Sequence, residues 1–375
     1  MDMRDIPLSN PDLTQAEIDA VTAVLRTDRL SIGPRTEGFE AALAARAGRK
    51  YGIAVNSGTS GLHLCVKAIG YKEGDEVITT PFSFVATTNC LLFERVKPVF
   101  VDIDPVSYNM DPGALEAAIT PRTRGILPVE VFGNMAHFEA YEQIARRHGL
   151  PMLEDCCEAL GGVLNGRPAG HFGECGVFAF YPNKQITTGE GGVIVTDRED
   201  IRDMCRSLRN QGRGTNAWLE HARLGYNYRM SEIIAAIGEV QMNRLDEILI
   251  KRRAAAAVYA QVLGDIEELQ IAPMAQPETA SWFVYVLRLA DKFTQADRDA
   301  IIESLRKQGI GCGNYFVPIH LQSYVMDMLG TKRGDFPITE RIAARTIALP
   351  FFANLTIEQA GRVRDTLKAA ITARK

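Results

Sequence analysis

The sequence predicts an α/β fold: a large domain with a mainly parallel sheet covered by helices on both faces, and a smaller α+β domain at the C-terminal end. Three observations carry this. Between residues 51 and 197 short runs of β-branched and aromatic residues alternate with amphipathic stretches, the βα rhythm of strands buried on both faces. A chain of 375 residues exceeds one ordinary core, so two units are expected, 1–250 and 251–375. Beyond a long helical stretch that starts near residue 232, strand and helix patterns become fewer and mixed.

The elements follow in order. Leu13-Thr14-Gln15-Ala16-Glu17-Ile18 is a capping box with a staple: Thr14 caps, Glu17 reaches back, Leu13 is expected to pack on Ile18, and a helix runs to about Arg26. A turn at 31–34 leads to a second helix, 36–45. A short strand from Tyr51 then enters a small-residue turn, Asn56-Ser57-Gly58-Thr59-Ser60, and the start of a helix. Further strands are read at 76–79, 98–101, 125–128 and 151–154, with helices near 86–93, from Pro112 and through Ile144 between them. Two buried strands, 177–181 and 193–196, bracket a polar loop that contains glycines. After a helix through Leu208, Ser231 caps a helix expected to run from Glu232 to about Tyr259 and to link the domains. The C-terminal unit is read as strand 281–289, helix 294–308, strand 312–316, helix 339–347 and a last helix opened by the box Thr356-Ile357-Glu358-Gln359.

Composition removes several function classes. With 46% hydrophobic and 23% charged residues the chain is neither disordered nor membrane-embedded, and no apolar run nears the ~20 residues of a spanning helix. The net charge of -4 comes from 42 basic and 46 acidic residues spread without runs, which gives no electrostatic case for nucleic acid or membrane. The densest basic patch, Arg202, Arg206, Arg209 and Arg213, has helical spacing and is either a solvated face or a contact for an anionic substrate. Seven cysteines without a C-x-x-C and six histidines without ligand spacing argue against disulfides and a metal. The polar N-terminus lacks a hydrophobic signal core, so the cytoplasm is the expected compartment.

Four features fall at strand ends, where ligands of such sheets sit. Lys184 lies in the loop between strands 177–181 and 193–196. A lysine delivered into a glycine-lined pocket loses water and becomes nucleophilic enough for a Schiff base, whereas a solvated loop lysine does neither. Asp155 follows strand 151–154 and Phe84 follows strand 76–79. The helix start at Gly58 offers free amides beside Ser and Thr hydroxyls, either a phosphate cradle or an ordinary cap. An aldehyde-binding lysine, an acid, a stacking ring and an anion cradle together suit pyridoxal phosphate; no metal or dinucleotide explains the same set.

The motifs Asn56-Ser-Gly-Thr-Ser, Gly74-Asp-Glu-Val, Pro98-Val-Phe-Val-Asp-Ile-Asp, Glu154-Asp155, Asn183-Lys184-Gln-Ile-Thr-Thr-Gly-Glu-Gly-Gly and Gly225-Tyr-Asn-Tyr-Arg-Met make the chain resemble the DegT/DnrJ/EryC1/StrS sugar aminotransferases. The resemblance covers nearly the whole chain and implies the seven-stranded sheet of fold type I pyridoxal-phosphate enzymes. It implies Lys184 as the Schiff-base lysine and Asp155 as partner of the pyridine nitrogen. It implies Gly58, Thr59 and Ser60 as the phosphate site, Phe84 as the stacking ring, and Asn227 as a phosphate ligand from the partner subunit of a homodimer. Five positions depart from the pattern: Ala179 replaces a common phosphate-binding serine, Cys156 and Cys157 replace alanines, Glu158 stands near the cofactor's phenolic oxygen where many relatives have Gln or His, and Glu130 replaces a histidine.

The resemblance further implies transfer of an amino group from L-glutamate to a nucleotide-linked keto-6-deoxy sugar, most simply at C4, for amino-sugar or polysaccharide synthesis. Glu158 and Glu130 are expected to place negative charge near the ring and so disfavour a carboxylate acceptor. Arg229 and His320 are candidate sugar-site residues, with structural roles as the alternative. Competing readings are amination at C3, a sugar dehydratase of the same family, against which Lys184 argues because those relatives carry histidine there, and a cofactor-binding regulator without turnover.

Overall fold

The computed structural model describes residues 5–214, 220–271, 274, 276 and 279–374. The central sheet contains β1 (Tyr51–Val55), β2 (Glu76–Thr79), β3 (Lys97–Phe100), β4 (Thr123–Leu127), β5 (Leu153–Asp155), β6 (Cys175–Ala179) and β7 (Gly192–Thr196). β2 pairs in parallel with β3 and β4, β5 pairs in parallel with β6, and β7 runs antiparallel between β6 and β1. Parallel bridges from Ile126 to Met152 and from Val129 to Asp155 join β4 to β5. The spatial order is therefore β3-β2-β4-β5-β6-β7-β1.

Strand side chains alternate between the two faces, and each face has its own helices. Ala54, Ile78, Ile126, Phe178, Val193 and Val195 pack with the helices Pro34–Arg46 and Phe138–His148. Ile53, Val55, Val77, Leu127, Leu153, Val177 and Ile194 pack with Gly58–Ile69, Ala86–Leu92 and Glu199–Arg209. That is why these strands read as continuous apolar runs.

The Thr14 capping box forms as expected. Its staple does not bury: Leu13 is 54% and Ile18 57% exposed. The long helix expected from Glu232 is two helices, Glu232–Asn243 and Leu245–Leu263, broken at Arg244. No proline or glycine marks the break. Arg244 instead binds Glu17 at 2.8 Å and Asp12 at 3.3 Å, so the bend serves a tertiary ion-pair cluster.

A second, antiparallel sheet is formed by β8 (Leu269–Ile271), β9 (Tyr285–Leu289) and β10 (Thr346–Leu349). Its core gathers Tyr285, Leu287, Ile347 and Leu349 with Ile301, Leu305, Val363 and Leu367, and it also takes in Ile6 from the N-terminal segment. Two sequence expectations are corrected here. Residues 312–316 are not a strand: they meet the sheet through the bridge from Gly313 to Ala348 and the Thr346 hydroxyl, which donates to Asn314 Oδ1 at 3.3 Å, because Tyr315 and Phe316 pack on Phe132 instead of continuing the ladder. Helix 339–347 is really Pro337–Ala343 followed by β10, since a short run buried on both faces has no periodicity to separate strand from helix. The division proposed at 250/251 falls inside the helix Leu245–Leu263, whose first turns join the large core and whose later turns join the second. Among the described residues, no helix is long and apolar enough to cross a membrane.

Candidate active site

A cavity of about 530 Å³ lies at the carboxyl ends of β1, β5 and β6, and its wall includes Gly58, Thr59, Phe84, Asp155, Glu158 and Lys184. Asp155 is 4% exposed. Its Oδ2 accepts from the Thr87 hydroxyl at 2.7 Å and its Oδ1 from the Cys157 amide at 3.2 Å. Thr87 is in turn 3.0 Å from the Ser83 hydroxyl. These contacts fix the carboxylate's orientation while it still lines the cavity.

Lys184 sits in the β6–β7 connection, its amide bonded to the Tyr181 carbonyl at 2.9 Å and its side chain 13% exposed. Glu158 Oε1 is 3.9 Å from its Nζ. Burial pushes the Glu158 pKa up to about 7, against the opposing pull of Lys184 and of the Phe132 amide, which donates to Oε2 at 2.8 Å. Glu158 is thus a carboxyl that changes charge near neutrality within reach of an amine.

The anion cradle is the start of the helix Gly58–Ile69. Ser57 caps it, its hydroxyl accepting from the Ser60 amide at 3.1 Å. Two glycines keep the cradle open. A Cβ on Gly58 would meet Ala179 Cβ at 2.6 Å, and one on Gly192 would meet the Ser57 carbonyl at 2.6 Å. The alanine at 179 therefore packs directly against the cradle. A lysine, an oriented aspartate and an open helix start around one cavity fit pyridoxal phosphate.

Residues 11–368 match the model of the DegT/DnrJ/EryC1/StrS aminotransferase family. The chain belongs to this family. It is 35% identical over 381 residues to the spore coat polysaccharide biosynthesis protein SpsC of Bacillus subtilis, covering 97% of this chain and 98% of SpsC. It is similar in structure to Helicobacter pylori PseC, an aminotransferase involved in pseudoaminic acid biosynthesis, at 30% identity and TM-score 0.92 over 99% of this chain and 100% of PseC. DesI, solved in the presence of its TDP-sugar product, is 30% identical with TM-score 0.89, covering 100% of this chain and 96% of DesI. The fold is the pyridoxal-phosphate aminotransferase architecture of fold type I, and sugar aminotransferase activity is supported at the level of the family.

Not every family-derived residue reaches the cavity. Ser60 spends its hydroxyl on Asn56 Oδ1 at 2.7 Å and lies behind Ser57, which does line the wall. Asn227 is exposed and outside the lining of its own chain's cavity, with its backbone bridged to Asn210. Arg229 donates to Asn210 Oδ1 at 2.9 Å, away from the cavity. His320 is fully buried, 3.0 Å from Glu340 and edge-on to Phe336, a packing role. In the arginine patch, Arg206 and Arg209 both pair with Glu40, which explains their spacing without a ligand. In the other direction, sequence reading missed Thr87, Tyr181, Asn183, Phe283 and Tyr315. Tyr181 and Asn183 flank Lys184 and were within reach of the motif. Thr87 sits on a helix, and Phe283 and Tyr315 arrive from the C-terminal unit, so no local pattern marks them.

Glu130 corrects the charge argument. It is 0% exposed, absent from the cavity wall, and neither carboxyl oxygen has a hydrogen-bond partner. Its ligand atoms lie within 4.8 Å of those of Glu154 and Cys156, the kind of trio that could hold a metal, which the sequence did not anticipate. Glu154 is already engaged by the Phe172 amide at 2.8 Å and by the Gly170 amide. Burial first and the neighbouring Glu154 second push the Glu130 pKa well up, so it stays neutral and adds no charge to the cavity. A carboxyl whose folded pKa is raised contributes stability that is full below its unfolded value and is lost as pH rises toward the folded one. Glu130→Gln should therefore gain in unfolding free energy relative to wild type as pH goes from 4.5 to 8, with a slope of up to about 1.4 kcal/mol per pH unit, measured by denaturant unfolding at each pH. A difference independent of pH would show that Glu130 titrates normally.

Proposed function

We propose that this chain transfers the amino group of L-glutamate to the keto carbon of a nucleotide-linked 4-keto-6-deoxy sugar, with pyridoxal phosphate as resident cofactor. The observation that carries the reading is Lys184 and the oriented Asp155 in the wall of one cavity that also holds an open helix start. Bound there, the cofactor supplies an aldehyde for the amine and a ring that accepts the electron pair left when the donor's Cα–H bond breaks. Asp155 holds a proton on the ring nitrogen, its carboxylate kept in place by Thr87 and the Cys157 amide. Nζ of Lys184 would take the proton from the donor's Cα and hand it to the carbon that was the cofactor's aldehyde carbon. Gly58 and Thr59 present the helix-start amides to the phosphate, and Phe84, 61% exposed at the cavity, covers the ring. Val129, Phe283 and Phe316 form an apolar wall that suits a deoxygenated C6.

The family resemblance supports a homodimer in which Asn227 serves the partner's phosphate, and its exposure away from its own cavity agrees with that role. An active species that sediments as a monomer would remove Asn227 from the site. Seven free thiols accord with the cytoplasm.

The test loads the enzyme with glutamate to the pyridoxamine form, removes the donor, and offers 4-keto sugar nucleotides, 3-keto sugar nucleotides and plain 2-oxo acids. The aldehyde spectrum should return with the 4-keto sugar. Return with only the 3-keto sugar would move the amination site, and return with only 2-oxo acids would overturn the sugar reading.

A further inference from the structure

Lys184 does not stand free in the cavity. Its Nζ lies 4.0 Å from the centroid of the Phe283 ring, over the face, with Glu158 Oε1 at 3.9 Å. Phe283 is 1% exposed and belongs to the segment that enters β9, which follows the helix Leu245–Leu263 in the chain.

That segment is fastened at three consecutive residues. Ser281 Oγ accepts from Gln185 Nε2 at 2.7 Å and donates to the Leu160 carbonyl at 2.5 Å. Arg252 Nε donates to the Trp282 carbonyl at 2.7 Å and Nη2 to the Phe283 carbonyl at 2.6 Å. Arg252 is 3% exposed, and its guanidinium lies 5.0 Å from the Phe351 ring centroid. Burying a guanidinium against carbonyls is costly, and burial pushes its pKa down to about 10. Here the guanidinium fixes the backbone that carries the Phe283 ring. Gln185 is the chain neighbour of Lys184, so the lysine loop and the ring are located by a common contact.

We propose that Phe283 is a positioning residue for Lys184: the face of its ring is the seat on which the lysine ammonium rests whenever the amine is not joined to the cofactor, with Glu158 closing the other side. The proposal rests on the reading of Lys184 as the lysine of a pyridoxal-phosphate enzyme. The negative face of an aromatic ring attracts a cation, and more strongly where water is excluded. A seat of this kind keeps the released amine at the cavity wall, ready to carry a proton. It also works on either side of Glu158's own titration, because a ring carries no ionisable proton.

The test uses the cofactor-free protein with Phe283 replaced by 4-fluoro-, 3,5-difluoro- and 3,4,5-trifluorophenylalanine, which keep the ring's shape and remove its negative face in steps. Acylation of Lys184 at one fixed pH is measured by mass spectrometry against the exposed Lys72. Losing the seat releases the amine from the ring face, so labelling should rise along the series to a total of about two- to thirtyfold. Phe283→Tyr should stay near wild type and Phe283→Leu should exceed it. A flat fluorine series, or Tyr and Leu variants that rise alike, would reduce Phe283 to packing. Borohydride reduction of the wild-type protein loaded with pyridoxal phosphate runs alongside. Without a covalent link at Lys184 the aminotransferase reading itself fails; with the link present and a flat series, the Phe283 proposal alone fails.

Discussion

Lys184→Ala is expected to lower amino transfer by about 10⁴-fold, because one side chain both joins the cofactor and carries the proton at the donor's Cα. The replacement fits sterically. The lysine side chain is 13% exposed at the cavity wall, so truncation opens space toward the cavity and leaves the β6–β7 connection intact, held by Thr187, Thr188 and Gln185. The anion cradle at Gly58 and Thr59 is untouched, so the variant should still retain cofactor, now removable by dialysis and not fixed by borohydride. Turnover within tenfold of wild type under saturating glutamate would show that another group does the chemistry.

Asp155→Asn should cost on the order of 10²-fold or more in amino transfer with the covalent link at Lys184 preserved. An amide has the shape of the carboxylate but cannot hold a proton on the ring nitrogen by charge. The neighbours tolerate the change: the Thr87 hydroxyl, which donates to Oδ2 at 2.7 Å, can rotate to accept, and the Cys157 amide keeps an oxygen to bind. Stability should therefore move little while the rate falls. A loss below about tenfold in single-turnover measurements would mean that Asp155 only fastens the Thr87 helix to β5.

The sheet was legible because its strands are buried on both faces and its connections are helices; the expected strand at 76–79 matches β2 residue for residue, and the β6–β7 pair was recognised from two apolar runs around one polar loop. Lys184, Asp155 and Gly58 were legible for a related reason: Asp155 closes β5, and Gly58 and Lys184 lie in the connections that leave β1 and β6, strands whose direction follows from the βα rhythm. The C-terminal unit was less legible. Strand 312–316 and helix 339–347 failed because short apolar segments buried on two sides carry no period, and what decides them is which neighbour they meet.

By itself the sequence determined the fold class, the family, and the set of residue types at strand ends that suits pyridoxal phosphate, since these depend on local pattern and on chain order. Tertiary structure alone decided the states and partners of those residues. Glu158 and Glu130 are the same residue type, yet one faces Lys184 across the cavity with a pKa near 7 and the other is sealed behind β5 beside Glu154, held neutral. Phe283 lies 4.0 Å from Lys184 although about a hundred residues separate them in the chain. Burial and through-space charge set both outcomes, and neither quantity is written in the order of residues along a strand.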